Sequence, residues 1–159
     1  MKLTGIHHVS ICVTDMERSV AWYRDVLGLP EVVRPSNFVT PVRWFEVGRE
    51  QVHLIPVDSP DDLSPRHFAL HVESCDAARK TLRERGAEIK ETVPIAGAKR
   101  FFTADPDGNN VEIIQWLRRW DATSEQELGV PDNGDRVMMS DTMTEAIRRE
   151  RIREELPTH

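Results

Sequence analysis

The sequence predicts an α+β fold made of two tandem β-α-β-β-β modules, and three observations carry that expectation. An apolar strand opening on a histidine occurs twice, as His8-Val9-Ser10-Ile11-Cys12-Val13 and as His67-Phe68-Ala69-Leu70-His71-Val72. A second polar residue inside an apolar run follows each at the same interval, since His8 to His53 and His67 to Glu112 both span 45 positions. A glycine stands where the helix after each strand should stop, Gly28 at 20 residues from His8 and Gly86 at 19 from His67. Strand phase, helix stops and polar positions repeat together at a period of about sixty residues, which marks a duplicated unit.

Gly5 to Thr14 reads as the first strand, with Val9, Ile11 and Val13 on one face and His8, Ser10 and Cys12 on the other, because side chains alternate along a strand. Asp15 is placed to accept from the free N–H groups of a helix over Arg18 to Leu27, whose apolar positions are Val20, Ala21, Val26 and Leu27. Gly28 supplies the left-handed stop, and Pro30 prevents continuation. Glu31 to Val39, Val42 to Gly48 and Gln51 to Val57 follow as strands. Pro35 suits an edge or a bulge, and Gly48-Arg49-Glu50 a tight turn. Residues 1–57 form the first module, and the polar, proline-punctuated stretch 58–65 a linker.

The second module, 66–117, restarts with the strand Arg66 to Glu73. A helix capped by Ser74 or Asp76 carries Ala77, Ala78 and Leu82 before the stop at Gly86. Ala87 to Val93 and Gly97 to Ala104 read as strands, Asp105-Pro106-Asp107-Gly108-Asn109 as a hairpin turn, and Val111 to Trp116 as the closing strand. The extension, 118–159, lies outside the repeat. It is charged and turn-rich as far as Asp135. A capping box at Thr142-Met143-Thr144-Glu145 then opens a peripheral helix over about 142–156, with Met143, Ile147, Ile152 and Leu156 as a thin apolar stripe.

Composition bounds the function. The 159 residues carry a formal charge of −6 and a pI near 5.5, which argues against nucleic acid or an anionic membrane as partner, since both need a basic face. No apolar signal core opens the chain and no stretch approaches bilayer length, so a cytoplasmic protein is expected. Only Cys12 and Cys75 are present. A disulfide framework is therefore not expected, and both thiols are read as reduced.

The inward positions carry the chemistry. Taken singly, a strand histidine is more often a hydrogen-bonded core residue than a ligand, and a glutamate within Val-Glu-Ile-Ile is more often the wet side of a half-buried sheet. In repeat register, however, His8, His53, His67 and Glu112 offer three imidazoles and a carboxylate to one centre. That donor set suits a divalent ion of intermediate softness, Zn, Ni, Co, Mn or Fe(II). Open coordination positions on such an ion would hold two adjacent substrate oxygens, polarise a carbonyl and stabilise an enolate.

The chain resembles the vicinal oxygen chelate superfamily, the glyoxalase, bleomycin-resistance and extradiol-dioxygenase group. The likeness rests on His8 to Asp15, Trp22-Tyr23-Arg24-Asp25-Val26-Leu27-Gly28-Leu29, His67 to Val72, and Phe101 to Asn109 leading into Val111-Glu112-Ile113, and it covers about residues 4–117. It implies paired βαβββ modules whose curved mixed sheet wraps a metal-binding cleft, with His8, His67 and Glu112 at ligand positions. The cleft would be built within one chain or between two chains of a homodimer. The fourth position, His53, is glutamate in glyoxalase I and glutamine in methylmalonyl-CoA epimerase, so histidine here is a departure. The fosfomycin thiol transferases are similar too, but Pro94-Ile95-Ala96-Gly97-Ala98-Lys99 lacks the serines of their potassium loop.

Strand phase, with hairpin register guided by the resemblance, puts Trp44, Glu46, Arg100 and Phe102 on the inward side. Trp44 and Phe102 would wall the substrate, Arg100 would clamp a carboxylate or phosphate, and His71 would sit at the pocket edge. Glu46 is a candidate base, His53 a base or ligand, and Glu112 a ligand with a catalytic part. The expectation is a divalent-metal-dependent lyase, isomerase or epimerase acting on a small oxygen-chelating substrate by proton transfer through a metal-bound enolate. An Fe(II) extradiol-type dioxygenase is the first alternative. A non-catalytic metabolite- or drug-binding protein of the bleomycin-resistance type is the second.

Overall fold

The computed structural model describes residues 1–62, 64–93, 95 and 97–117; the helix expected at 142–156 lies outside them. In the first module β1 (His8–Val13) leads into α1 (Met16–Ala21), a wide π-type turn (Trp22–Val26), β2 (Glu31–Val32), β3 (Arg43–Val47) and β4 (Glu50–Pro56). The second follows the same plan, with β5 (His67–His71), α2 (Cys75–Glu84), β6 (Lys90–Glu91), β7 (Ala98–Ala104) and β8 (Asn110–Trp116). Two four-stranded mixed sheets result, ordered β1-β4-β3-β2 and β5-β8-β7-β6. In each, the first strand runs parallel to the last, and the remaining pairs are antiparallel.

The caps form as expected. Asp15 accepts from Arg18 N at 3.0 Å, and Ser74, rather than Asp76, accepts from Ala77 N at 3.2 Å. Two long strands of the sequence reading shrink. Glu31 to Val39 keeps only Glu31–Val32 and Ala87 to Val93 only Lys90–Glu91, each at the outer edge of its sheet. In the first case Pro35 lacks the N–H a ladder needs, and Arg34 turns the chain back by donating to the carbonyls of Phe38 and Thr40.

Alternation sorts the two faces of each sheet. Val13, Phe45, Val52 and Leu54 bury against α1 with Val20 and Tyr23, while Phe101, Val111 and Ile113 bury with Cys75 and Leu82 of α2. Trp22, Leu27 and Phe68 pack against both clusters, so the wide turn after α1 is the apolar seam between modules.

A polar latch lies beside that seam. The β7–β8 turn, which the sequence presents as an ordinary hairpin, reaches into the first module. Asp105 is buried and accepts from Tyr23 Oη at 3.0 Å, from Asn109 Nδ2 at 2.8 Å, and from the N–H groups of Asp107 and Asn109, both at 2.9 Å. Asp107 accepts from Thr14 N at 3.2 Å and Arg18 Nη2 at 2.8 Å, and Asn109 Nδ2 donates to the Cys12 carbonyl at 3.0 Å. Burial pushes the Asp105 carboxyl up in spite of its donors. It also keeps Tyr23 protonated as a donor, helped by the adjacent Asp105 charge. For Asp107 burial opposes ionisation, but the Thr14 bonds and the Arg18 charge outweigh it and hold the carboxyl below its usual range.

Candidate functional site

The faces turned away from the helices carry the polar residues, and the two modules fill them differently. In the first, strand register sets Ser10 and Trp44 on either side of His53. His53 lies between two rings, Trp44 at 4.5 Å and 7° on one side and His8 at 4.1 Å and 12° on the other. Phe38 meets Trp44 edge-on at 5.7 Å, and His7 meets His8 in the same way at 5.2 Å. Each imidazole has one nitrogen engaged. His53 Nε2 donates to Gln51 Oε1 at 2.8 Å, and His8 Nδ1 shares a proton with His7 Nδ1 at 2.9 Å. Burial, with the neighbouring His8 and His7 adding to it, holds His53 below the usual imidazole range.

The second module replaces stacking with charge. Ala69 and Phe102 flank Glu112 in register. Glu112 Oε1 accepts from Arg100 Nη1 at 2.9 Å, and Oε2 lies 3.3 Å from His67 Nε2. His67 Nδ1 lies 2.9 Å from the Pro65 carbonyl. A carbonyl only accepts, so Nδ1 carries a proton, and in the neutral form of that tautomer the Nε2 lone pair faces the carboxylate. Two acceptors facing each other repel unless a proton or a cation joins them.

That contact tests the fit of a metal. Two donors bound at about 2.0–2.2 Å to one ion, at angles between square and tetrahedral, stand roughly 3–3.5 Å apart; His67 Nε2 and Glu112 Oε2 are 3.3 Å apart. The pair has the spacing of neighbouring ligands. His8 and His53 do not, because an imidazole lone pair lies in its ring plane and parallel planes share no point. As stacked, one ion serves His8 or His53 and not both. Among the described residues no three His, Cys, Asp or Glu side chains are gathered closely enough to share one ion.

The remaining expected positions divide. Trp44 stacks on His53, and buried Phe102 has its ring 5.2 Å from that of His67. His8, His67 and His71 line one open cavity between β1, β5 and the β3–β4 turn, together with Ile6, Val9 and Phe68. Glu46 follows Trp44 on the same face but is exposed, opposite Gln51. Arg100 is turned inward and consumed there, with Nε and Nη2 donating to the Val93 carbonyl at 3.2 and 3.0 Å while Nη1 holds Glu112. Two participants were missed by the sequence reading. Gln51 was findable, being two positions from His53 and so on the same face. His7 was not, because a strand read from Gly5 assigns it to the Val9 face, whereas β1 begins only at His8 and leaves His7 outside the alternation.

Comparison with known proteins agrees with this architecture. The model of the Glyoxalase/Bleomycin resistance protein/Dioxygenase superfamily matches residues 5–113. Among curated proteins, the chain is 27% identical over 124 residues to Glyoxylase I 4 of Arabidopsis thaliana, covering 71% of each. It is 27% identical over 121 residues to the lactoylglutathione lyase of Salmonella typhimurium, covering 68% of this chain and 90% of that one. Among solved structures, a glyoxalase family protein from Bacillus anthracis superposes with a TM-score of 0.68 at 24% identity, over 73% of this chain and 98% of that one. The fosfomycin resistance protein FosX of Listeria monocytogenes follows at 0.61 and 17%, over 72% and 94%.

Proposed function

Because the chain belongs to the Glyoxalase/Bleomycin resistance protein/Dioxygenase superfamily, we propose that it is a divalent-metal-dependent enzyme. Its reaction would be proton transfer on a small substrate that presents two adjacent oxygens. The observation that supports this best is the 3.3 Å approach of His67 Nε2 to Glu112 Oε2 with the other imidazole nitrogen spent on Pro65 O. A pair so arranged is incomplete without a cation or a proton between its members.

In this reading His8, His67 and Glu112 hold the ion, which when bound supplies Lewis acidity to the chelating oxygens. His53 serves as the base through Nδ1, because Gln51 fixes its other nitrogen and Trp44 and His8 fix its plane. Trp44 and Phe102 exclude water and orient the substrate. His71 borders the entrance, and exposed Glu46 passes protons to solvent. Since no three of the ligand-type residues are gathered for one ion among the described residues, a homodimer in which one copy's first module meets the other's second would complete the site.

One observation favours a second reading. With His53 stacked away, two histidines and one carboxylate remain, the donor set of Fe(II) oxygenases; ring-cleaving dioxygenation is then the alternative. Elemental analysis of the purified protein, followed by two assays, separates them. Solvent deuterium entering the carbon next to a carbonyl, with no oxygen consumed, supports proton transfer. Oxygen uptake on catechols with Fe(II) bound supports the alternative, and the absence of stoichiometric metal under metal-replete expression rejects both.

A further inference from the structure

Arg100 is the most enclosed charge on the inward face of the second sheet, its side chain 3% exposed beside a Glu112 side chain at 8%. It is braced from two directions. Nε and Nη2 both donate to the Val93 carbonyl, and Nη1 donates to Glu112 Oε1. The guanidinium lies 5.9 Å from the centre of the Phe102 ring, the same ring that meets His67 edge-on. Each of its three nitrogens already donates, and at 3% exposure the side chain offers almost no surface on which an anionic substrate could sit. Its orientation serves the carboxylate.

We propose that Arg100 is the positioning residue of Glu112, capping Oε1 so that Oε2 alone is offered to an ion beside His67 Nε2. The inference rests on the metal-site reading above and adds to it how the carboxylate binds. A free carboxylate bonds a cation through one oxygen or through both. A short charge-assisted bond to a rigid guanidinium removes one of them and fixes the other at ligand spacing from the imidazole. The Pro65 carbonyl does the same for His67, setting its tautomer and plane. Outer partners of this kind orient the ligands of metal sites, and losing one typically weakens metal binding about 10–100-fold.

The test uses Co(II) alone as the probe on the full-length protein. Affinity and visible absorption bands are measured for wild type, Arg100→Gln and Arg100→Lys, with near-ultraviolet dichroism to check folding. Wild type is expected to bind Co(II) stoichiometrically. Arg100→Gln is expected to lose affinity by about 10–100-fold, with altered band intensity as Oε1 becomes free to bind. Arg100→Lys keeps the charge and should recover part of the affinity; it also carries the test should the Gln variant fail to fold. If wild type binds Co(II) and both folded variants match it in affinity and spectrum, the positioning role is overturned while the site stands. If wild type binds no Co(II), the site itself falls.

Discussion

The two modules share one backbone plan and hold their inward side chains by opposite means. The first stacks rings, Trp44 on His53 on His8, with a glutamine to fix the histidine. The second chains charges, Arg100 to Glu112 to His67, with a backbone carbonyl at each end. The difference extends to the matching turns. The β3–β4 turn at Gly48-Arg49 is exposed, whereas the β7–β8 turn buries Asp105 and bonds across to the first module as the latch between modules. Duplication preserved strand phase and let the residues on those strands diverge. One unit now carries a stack of rings, the other an anchored carboxylate–imidazole pair and the turn that latches the modules together.

The comparison breaks hardest at the charge chain. Glu112→Ala leaves the Arg100 guanidinium buried and unpaired, which should cost about 3–5 kcal/mol of stability. His53→Ala loses ring contacts worth about 0.5–1.5 kcal/mol each. Denaturant unfolding of the two variants checks the ranking, and equal losses would mean that the ionic half is no more tightly coupled than the stacked half.

The turns give the next largest contrast. Asp107→Asn removes a carboxylate 4% exposed that holds Thr14 and Arg18 and should cost about 1–3 kcal/mol near neutral pH. Arg49→Ala, in the exposed counterpart, should stay within about 0.5 kcal/mol. The pH dependence has a definite sign. Because the folded Asp107 carboxyl lies below its ordinary value near 3.8, its contribution is complete above that value and is lost as pH falls through the folded one. The gap between wild type and Asp107→Asn should therefore close in acid, and a gap that stays constant down to the acid transition would remove the ionic part of the latch.

The smallest contrast separates the two helix-stopping glycines, both at φ +82°. An added Cβ at Gly28 would stand 2.8 Å from Arg85 Nη1, while at Gly86 it meets nothing within 4 Å. Alanine at either costs about 1–2 kcal/mol for the left-handed backbone. Gly28→Ala should cost a few tenths more, since Arg85 must shift and its 3.1 Å bond to the Val26 carbonyl is strained. Thermal unfolding of the pair would show it, and an identical loss would mean that Arg85 gives way freely.

Much of the site was legible in part. Alternation put His8, His53, His67 and Glu112 on the faces turned away from the helices, hairpin register guided by the family resemblance added Trp44 and Phe102, and the observed register places all six there. Arg100 was legible as inward but not as Glu112's partner, because alternation assigns a face and says nothing of which neighbour a long side chain reaches. Asp105, Asp107 and Asn109 read as turn residues, which they are. Nothing local indicates that the turn bonds to Thr14, Arg18 and Tyr23, more than eighty positions earlier.

What the sequence determined by itself is whatever short-range sterics and hydrogen bonding decide: two repeats, their caps and stops, and the face each side chain takes. Which of those side chains meet was decided by the tertiary structure. Contacts between distant strands depend on how two sheets and two helices pack, and that is a property of the whole core rather than of any stretch within it.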